Sequence, residues 1–232
     1  MNSKLGIWGL LIFPPLIFLS SLISCLVYYG ANQLTEEQIS VKITESIPFI
    51  LFMSQLGMLV MLLVYSRKNQ QNIFRQTFKS PQFIKDLIGG VLLGLAIAIG
   101  YFHLGIIDLI IYLQTHFGDY VPVGETSNSV GDTPLLFFVS NVILAPFIEE
   151  NIYRNIAFKK LSKRYNGIVA ILITAFFFGL LHWLGGFWYI IATGFLIGIP
   201  FGLIQLKRES ILLVFTAHLT LNLYEFIVSI YV

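Results

Sequence analysis

Three groups of ionisable and amide residues stand in sequence that otherwise carries almost no charge. Residues 145–154 read Ala-Pro-Phe-Ile-Glu-Glu-Asn-Ile-Tyr-Arg and place Glu149, Glu150 and Arg154 inside an apolar run that continues on both sides. His182 follows Phe178 by one helical turn. His218 and Asn222 are i and i+4, so they share a helix face, which Glu225 extends. Glu150 and Arg154 are also i and i+4, with the carboxylate N-terminal, the favoured order for a helical ion pair. Glu149 points about 100° away around the same helix and has no local partner. One carboxylate is therefore occupied structurally, and the other is free for chemistry.

No serine–histidine–acid or cysteine–histidine arrangement occurs in these segments, so a covalent nucleophile is not expected. Hydrolysis by a carboxylate-activated water is the natural reading. Burial in low dielectric favours the protonated form of an unpaired glutamate, which suits a general base. A metal reading competes: Glu149, His182 and His218 supply three ligands and leave a fourth place for water, the arrangement of a catalytic zinc site. Against it, no H-E-x-x-H helix is present, no two of these ligands share a helix, and Asn222 is left without a place on the metal. Intramembrane Glu, His and Arg also line ion and proton pathways, so a small transporter is a third reading. It requires a polar track that the otherwise apolar segments do not show. A catalytically silent immunity or scaffold protein is the fourth, since the same residues can persist without activity.

The elements that carry these groups follow from composition. Of 232 residues, 56% are apolar, 15% aromatic and only 11% charged, against about 25% charged in a soluble domain. There is too little polar side chain to cover a water-soluble globule, so a soluble enzyme, a disordered chain and a disulfide scaffold are all excluded. The fold expected is an all-α, polytopic transmembrane bundle of about seven spans, a single integral membrane domain over 1–232. The apolar segments run over residues 5–29, 47–65, 87–113, 134–158, 167–183, 187–206 and 211–232, with a motif-bearing core at 134–225. Backbone groups in lipid must pair within their own segment, and the alternation of a membrane barrel is absent, so these segments are helices.

The loops alternate in charge. Arg67, Lys68, Arg75, Lys79 and Lys85 follow the second segment, Lys159, Lys160, Lys163 and Arg164 the fourth, and Lys207 and Arg208 the sixth. Glu36, Glu37 and Glu45, with one Lys42, and then Asp119, Glu125 and Asp132 occupy the loops between. The positive-inside rule puts the N-terminus in the cytoplasm and the C-terminus outside. The net charge of +2 is accounted for by these orientation signals, which leaves a nucleic-acid partner without support. Cys25 is alone and cannot form an intramolecular disulfide. The first apolar run is longer than a signal-peptide core and lacks a cleavage pattern, so it reads as an uncleaved span. Residues 67–86 carry Ile73, Phe74, Phe78 and Phe83 and are expected to lie along the membrane surface.

The order E-E-x-x-x-R (Glu149, Glu150, Arg154), F-x-x-x-H (Phe178, His182) and H-x-x-x-N (His218, Asn222), each in its own apolar segment, resembles the CPBP family. These are the CAAX-protease-like and bacteriocin-processing, Abi-type intramembrane proteases. Ala145-Pro146 before the acidic pair is similar to the family pattern, and Asn155 departs from it where a small residue is usual. The resemblance covers 135–222 and implies an intramembrane glutamic endopeptidase. In it, Glu149 with His182 activates water, His218 and Asn222 stabilise the oxyanion, and Glu150 and Arg154 hold the helix and tune Glu149. No cofactor is implied, zinc being the alternative. The partners implied are the lipid bilayer and a peptide or protein substrate, lipid-modified or membrane-bound. CAAX-type relatives cut prenylated C-termini, and bacterial relatives are linked to peptide maturation or bacteriocin immunity. The composition leans toward a bacterial plasma membrane.

Other features read as packing. Gly194, Gly198 and Gly202, and Gly90 with Gly94, form stripes for close helix approach. Pro200 should kink the sixth helix and Pro146 open the helix beside Glu149. Phe187, Trp188 and Tyr189 resemble interfacial anchors. His103 is expected to make a cross-helix hydrogen bond, Asp108 to sit near a helix end, and His116 to be an unpartnered loop residue. Counting depth at 1.5 Å per residue puts Glu149 mid-span but His182 near the outer end of its segment, so convergence requires tilt or an offset helix.

Overall fold

The structure, a computed structural model, describes residues 3–32, 34–120, 130 and 133–231. Glu125, Asp132 and Val232 lie outside the described residues. The described chain forms α1 (Ser3–Ala31), α2 (Glu36–Glu45), α3 (Ile47–Lys68), α4 (Ile73–Phe78), α5 (Phe83–His103) and α6 (Ile106–Phe117). Then follow α7 (Pro134–Leu161), α8 (Gly167–Leu181), α9 (Phe187–Arg208) and α10 (Ile211–Tyr231). Six of these, α1, α3, α5, α7, α9 and α10, are long and apolar enough to cross a membrane, while α6 and α8 are apolar but shorter. The architecture is a polytopic helical bundle.

Two boundaries differ from the sequence reading. The third segment is not one helix. It breaks at Gly105, whose φ of +83° is a left-handed conformation that glycine adopts without steric cost, and α6 turns away from α5. His116, expected in a loop, lies in the last turn of α6, where Nδ1 contacts the Tyr112 carbonyl at 3.0 Å and the two rings stack.

Within residues 67–86 a short helix, α4, docks on the bundle. Phe74 stacks on Phe147 at 5.0 Å and Phe78 meets Phe215 edge-on at 5.7 Å. Beneath the rings, the Thr77 hydroxyl and the Asn151 amide hydrogen-bond at 2.8 Å. Asn155 donates to both Gln76 Oε1 and Asn151 Oδ1, each at 2.9 Å, and accepts from Lys159 Nζ at 2.8 Å. This ladder explains the departure from a small residue at 155, because the carboxamide ties α4 to α7.

Helix α7 is not uniform. Its turns widen to i→i+5 hydrogen bonding over Phe138–Leu144 and again over Asn151–Phe158, on either side of regular turns at Ala145–Glu150. Such widened turns cluster at functional sites. The first ends at Pro146, which has no N–H to donate. A matching widening at Gly194–Gly198 precedes Pro200 in α9.

The glycine stripes do bring helices together. A Cβ on Gly198 would sit 2.9 Å from the Ala175 side chain, and one on Gly179 only 2.4 Å from the Ile190 carbonyl, so α8 and α9 touch backbone to backbone. Gly90 and Gly94 do the same for α5 against α10, where Cβ atoms would meet the Leu213 carbonyl at 2.7 Å and the Ala217 carbonyl at 2.4 Å. His103 reaches across this pair to the Tyr224 hydroxyl at 2.5 Å. Gly94→Val should therefore lower stability by at least about 1–3 kcal/mol, the usual cost of overpacking. Gly30→Val, with nothing within 4 Å, should leave it within about 0.5 kcal/mol. Thermal unfolding of both variants in detergent checks this.

Candidate active site

The site is built around the Glu150 carboxylate, which is fully buried in α7. Its Oε1 accepts from Arg154 Nη1 at 3.1 Å, one turn along the same helix, and from His218 Nδ1 of α10 at 2.8 Å. A carboxylate can only accept, so His218 carries a proton on Nδ1, and its Nε2 is the uncommitted nitrogen. The guanidinium of Arg154 lies 4.2 Å from the centroid of the Phe178 ring and 5.5 Å from that of Phe201. Aromatic faces thus take the place of solvent around a buried cation.

Phe178 joins the motif residues of three helices. Besides Arg154, its ring meets Tyr153 at 5.5 Å, His182 at 4.9 Å and His218 at 5.9 Å between centroids. Its carbonyl accepts from His182 Nδ1 at 2.8 Å. That bond fixes the neutral imidazole with Nε2 as the acceptor. The spacing F-x-x-x-H has a local cause, since the phenylalanine holds the histidine through its backbone and packs it through its ring.

Glu149 faces a different neighbourhood. Its Oε1 accepts from Gln55 Nε2 of α3 at 3.2 Å, whereas Oε2 is buried with no hydrogen-bond partner among the described residues. Glu149 lies within electrostatic range of His182, Arg154 and Tyr189. Asn222 is held from the other side. In α7 the Ala145 N–H bonds to the Ser140 carbonyl, and Pro146 has no N–H, so neither can serve the Asn141 carbonyl. Asn222 Nδ2 donates to that carbonyl at 2.8 Å. The Ala145-Pro146 step thus frees a backbone acceptor that positions Asn222. Glu225, one turn on, accepts from the Asn141 side chain at 3.5 Å.

Depth is reconciled by the shortness of α8. Its 15 residues rise only about 22 Å, less than the roughly 30 Å of a hydrocarbon core. Beyond it the chain makes a 3-10 turn over Trp183–Gly185, whose remaining backbone groups need partners from the protein. The end of α6 and the residues after it supply them. Gln114 donates to the Gly185 carbonyl at 3.2 Å, and the Tyr120 hydroxyl donates to the Trp183 carbonyl. Asp119 caps α9, accepting from Phe187 N at 2.8 Å, Trp188 N at 3.4 Å and Tyr120 N at 2.7 Å. Burial raises the Asp119 pKa, but these N–H donors and Gln114 outweigh it and hold the carboxyl below the usual range.

Sequence reasoning missed Gln55, Asn141, Tyr101 and Tyr189. Gln55 carried a signal, an amide in the middle of an apolar helix. Tyr189, read as an interfacial anchor, packs against His182 with ring centroids 6.1 Å apart and lies near Tyr101. Among the described residues no group of three or more His, Cys, Asp or Glu side chains is arranged to hold a metal ion.

The described helices bury paired glutamates, a histidine and an asparagine inside an apolar bundle, six of whose helices are long and apolar enough to cross a membrane. Residues 131–224 match the family model described as Rce1-like, type II CAAX prenyl endopeptidase Rce1-like. This agrees with the CPBP resemblance and supports a CAAX-type intramembrane protease. No curated protein and no solved structure matches the chain.

Glu150→Gln leaves Arg154 and His218 sharing a neutral amide in a buried site. It should cost about 3–5 kcal/mol, as for breaking a buried ion pair, and be seen as a lower melting temperature and reduced yield.

Proposed function

We propose that the protein is an intramembrane endopeptidase in which Glu149 and His182 activate water to cleave a peptide bond in or near the bilayer. The observation that carries this reading is the buried, unpartnered Oε2 of Glu149 beside a histidine whose Nδ1 is tied to the Phe178 carbonyl. A water between Oε2 and His182 Nε2 meets two acceptors, so it is oriented for attack and has a base for its proton. Attack of the water oxygen on the scissile carbonyl forms the tetrahedral intermediate as Glu149 takes that proton. The oxyanion then accepts from the second Nδ2 hydrogen of Asn222 and from His218 Nε2, which carries a proton when the imidazole is charged. Glu149 returns the proton to the departing amine as the C–N bond breaks. Glu150 and Arg154 position His218 and Phe178, and no cofactor takes part. The substrate is a membrane-bound or lipid-modified peptide, which reaches the site within the bilayer.

Glu149→Gln keeps the shape of the side chain but cannot take a proton. It should abolish cleavage in purified proteoliposomes while the melting temperature stays close to that of the wild type. Equal turnover by the two proteins would remove the protease reading in favour of a binding or immunity role.

Asn222→Ala should lower kcat by about a hundredfold or more with little change in KM, as for an interaction made only in the transition state. The same preparation should hold no stoichiometric metal and resist chelators. One zinc per chain, with activity lost to a chelator and restored by Zn²⁺, would reassign His182 and His218 as ligands.

A further inference from the structure

Two hollows lie end to end along α1, and neither includes a residue of the Glu149–His182 pocket. The first, about 360 Å³, opens where α7 runs into the turn before α8 and is lined by Trp8, Leu161, Lys160, Lys163, Arg164 and Tyr165. The second, about 280 Å³, is a furrow between α1 and α8, lined by apolar side chains that include Ile12, Leu16, Leu19, Phe177, Leu180 and Trp183. Between them, Trp8 of the first packs against Phe177 of the second, with ring centroids 6.3 Å apart.

The first hollow is cationic and uncompensated. No carboxylate lines it, and among the described residues neither Lys163 nor Arg164 forms an ion pair. Lys160 is already held, donating to the Tyr65 hydroxyl at 2.5 Å and to Asn69 Oδ1 at 3.2 Å, so its charge is fixed at the edge of the hollow. Topology signals account for basic residues in a loop, but they do not require a cavity lined by Trp8 and Leu161 beside an apolar furrow on the same helix. From Ile12 to Leu19, the α1 residues that line the furrow, the helix rises about 10 Å, some two thirds of the roughly 15 Å depth of one leaflet of hydrocarbon. The pair therefore presents a cationic end and an apolar stem that takes the upper part of one acyl chain. Trp8 and Tyr165 line the cationic end, and aromatic residues of this kind favour the headgroup level.

We propose that α1 and α8 hold one anionic glycerophospholipid, with its phosphate among Lys160, Lys163 and Arg164 and one acyl chain in the furrow. Basic pockets between membrane helices recognise anionic headgroups in this way. The site gives α1 a binding role, although α1 supplies no residue to the catalytic pocket. It also sets a lipid against α8, the helix that presents His182.

Native mass spectrometry of the purified full chain tests the proposal, with phosphatidylglycerol, phosphatidylcholine of the same acyl chains, and glycerol phosphate as probes. One phosphatidylglycerol should be retained per chain, with at least a tenfold preference over phosphatidylcholine. Lys163 and Arg164 are exposed, so the double variant Lys163→Gln/Arg164→Gln should keep its melting temperature and lose the preference at least fivefold. Leu16→Trp, which fills the furrow, should weaken retention of the diacyl lipid without changing the headgroup preference. Equal retention of the two lipids, or an unchanged preference in the double variant, would overturn the headgroup assignment. Glycerol phosphate competing as well as the intact lipid would leave only an anion site and contradict the acyl furrow.

Discussion

The Glu150 carboxylate is the constraint on which the rest of the site depends. A lone carboxylate in a helix surrounded by apolar side chains is expensive, and a single ion pair offsets that cost only in part. Here one oxygen serves two cations or donors from different parts of the chain, Arg154 on its own helix and His218 on α10. Arg154 in turn lies against Phe178 of α8 and Phe201 of α9. Four helices are thereby referred to one carboxylate, and any rotation of α7 would strand a buried charge. The register that this imposes leaves Glu149, one residue earlier, facing Gln55 and His182.

Backbone irregularities then do the fine placement. Proline in a helix normally costs stability because it removes a donor and crowds the preceding turn. At Pro146 the loss has a consequence on the far side of the helix, since the carbonyl it leaves open is the one that Asn222 uses. The glycines of α5, α8 and α9 have the complementary effect, letting backbones approach to distances that side chains would forbid. Small residues serve this purpose in membranes, where lipid removes the hydrophobic drive for helix association. The close approach in turn packs the short α8 against α9 along its length.

What the sequence disclosed was local. The Glu150–Arg154 pair and the shared face of His218 and Asn222 follow from helical periodicity, and the cost of charge in lipid marks them as a group. The helical bundle follows from composition, but of the seven segments expected the fifth forms only the short α8, so six described helices are long enough to cross a membrane. What it did not disclose was long-range or conformational. The contact of Glu150 with His218 joins residues 68 apart, and no periodicity reports it. The break at Gly105 falls in sequence as apolar as its surroundings, so only the left-handed conformation of one glycine divides α5 from α6. Residues 67–86 showed the aromatic residues of an amphipathic segment but not that Thr77 and Gln76 would find Asn151 and Asn155 beneath them. Tyr189 looked like an anchor because its neighbours Phe187 and Trp188 do, and its contact with His182 joins it to a helix that periodicity does not report.

The central claim is that Glu149 acts through water rather than by attacking the peptide itself. A single turnover in H₂¹⁸O, with enzyme in excess over a peptide substrate, tests it most directly. The account predicts ¹⁸O in the new carboxylate of the product on that first turnover and none in the Glu149 side chain. Unlabelled product with ¹⁸O in the Glu149 carboxylate would contradict it, because that distribution requires a covalent acyl intermediate on the glutamate.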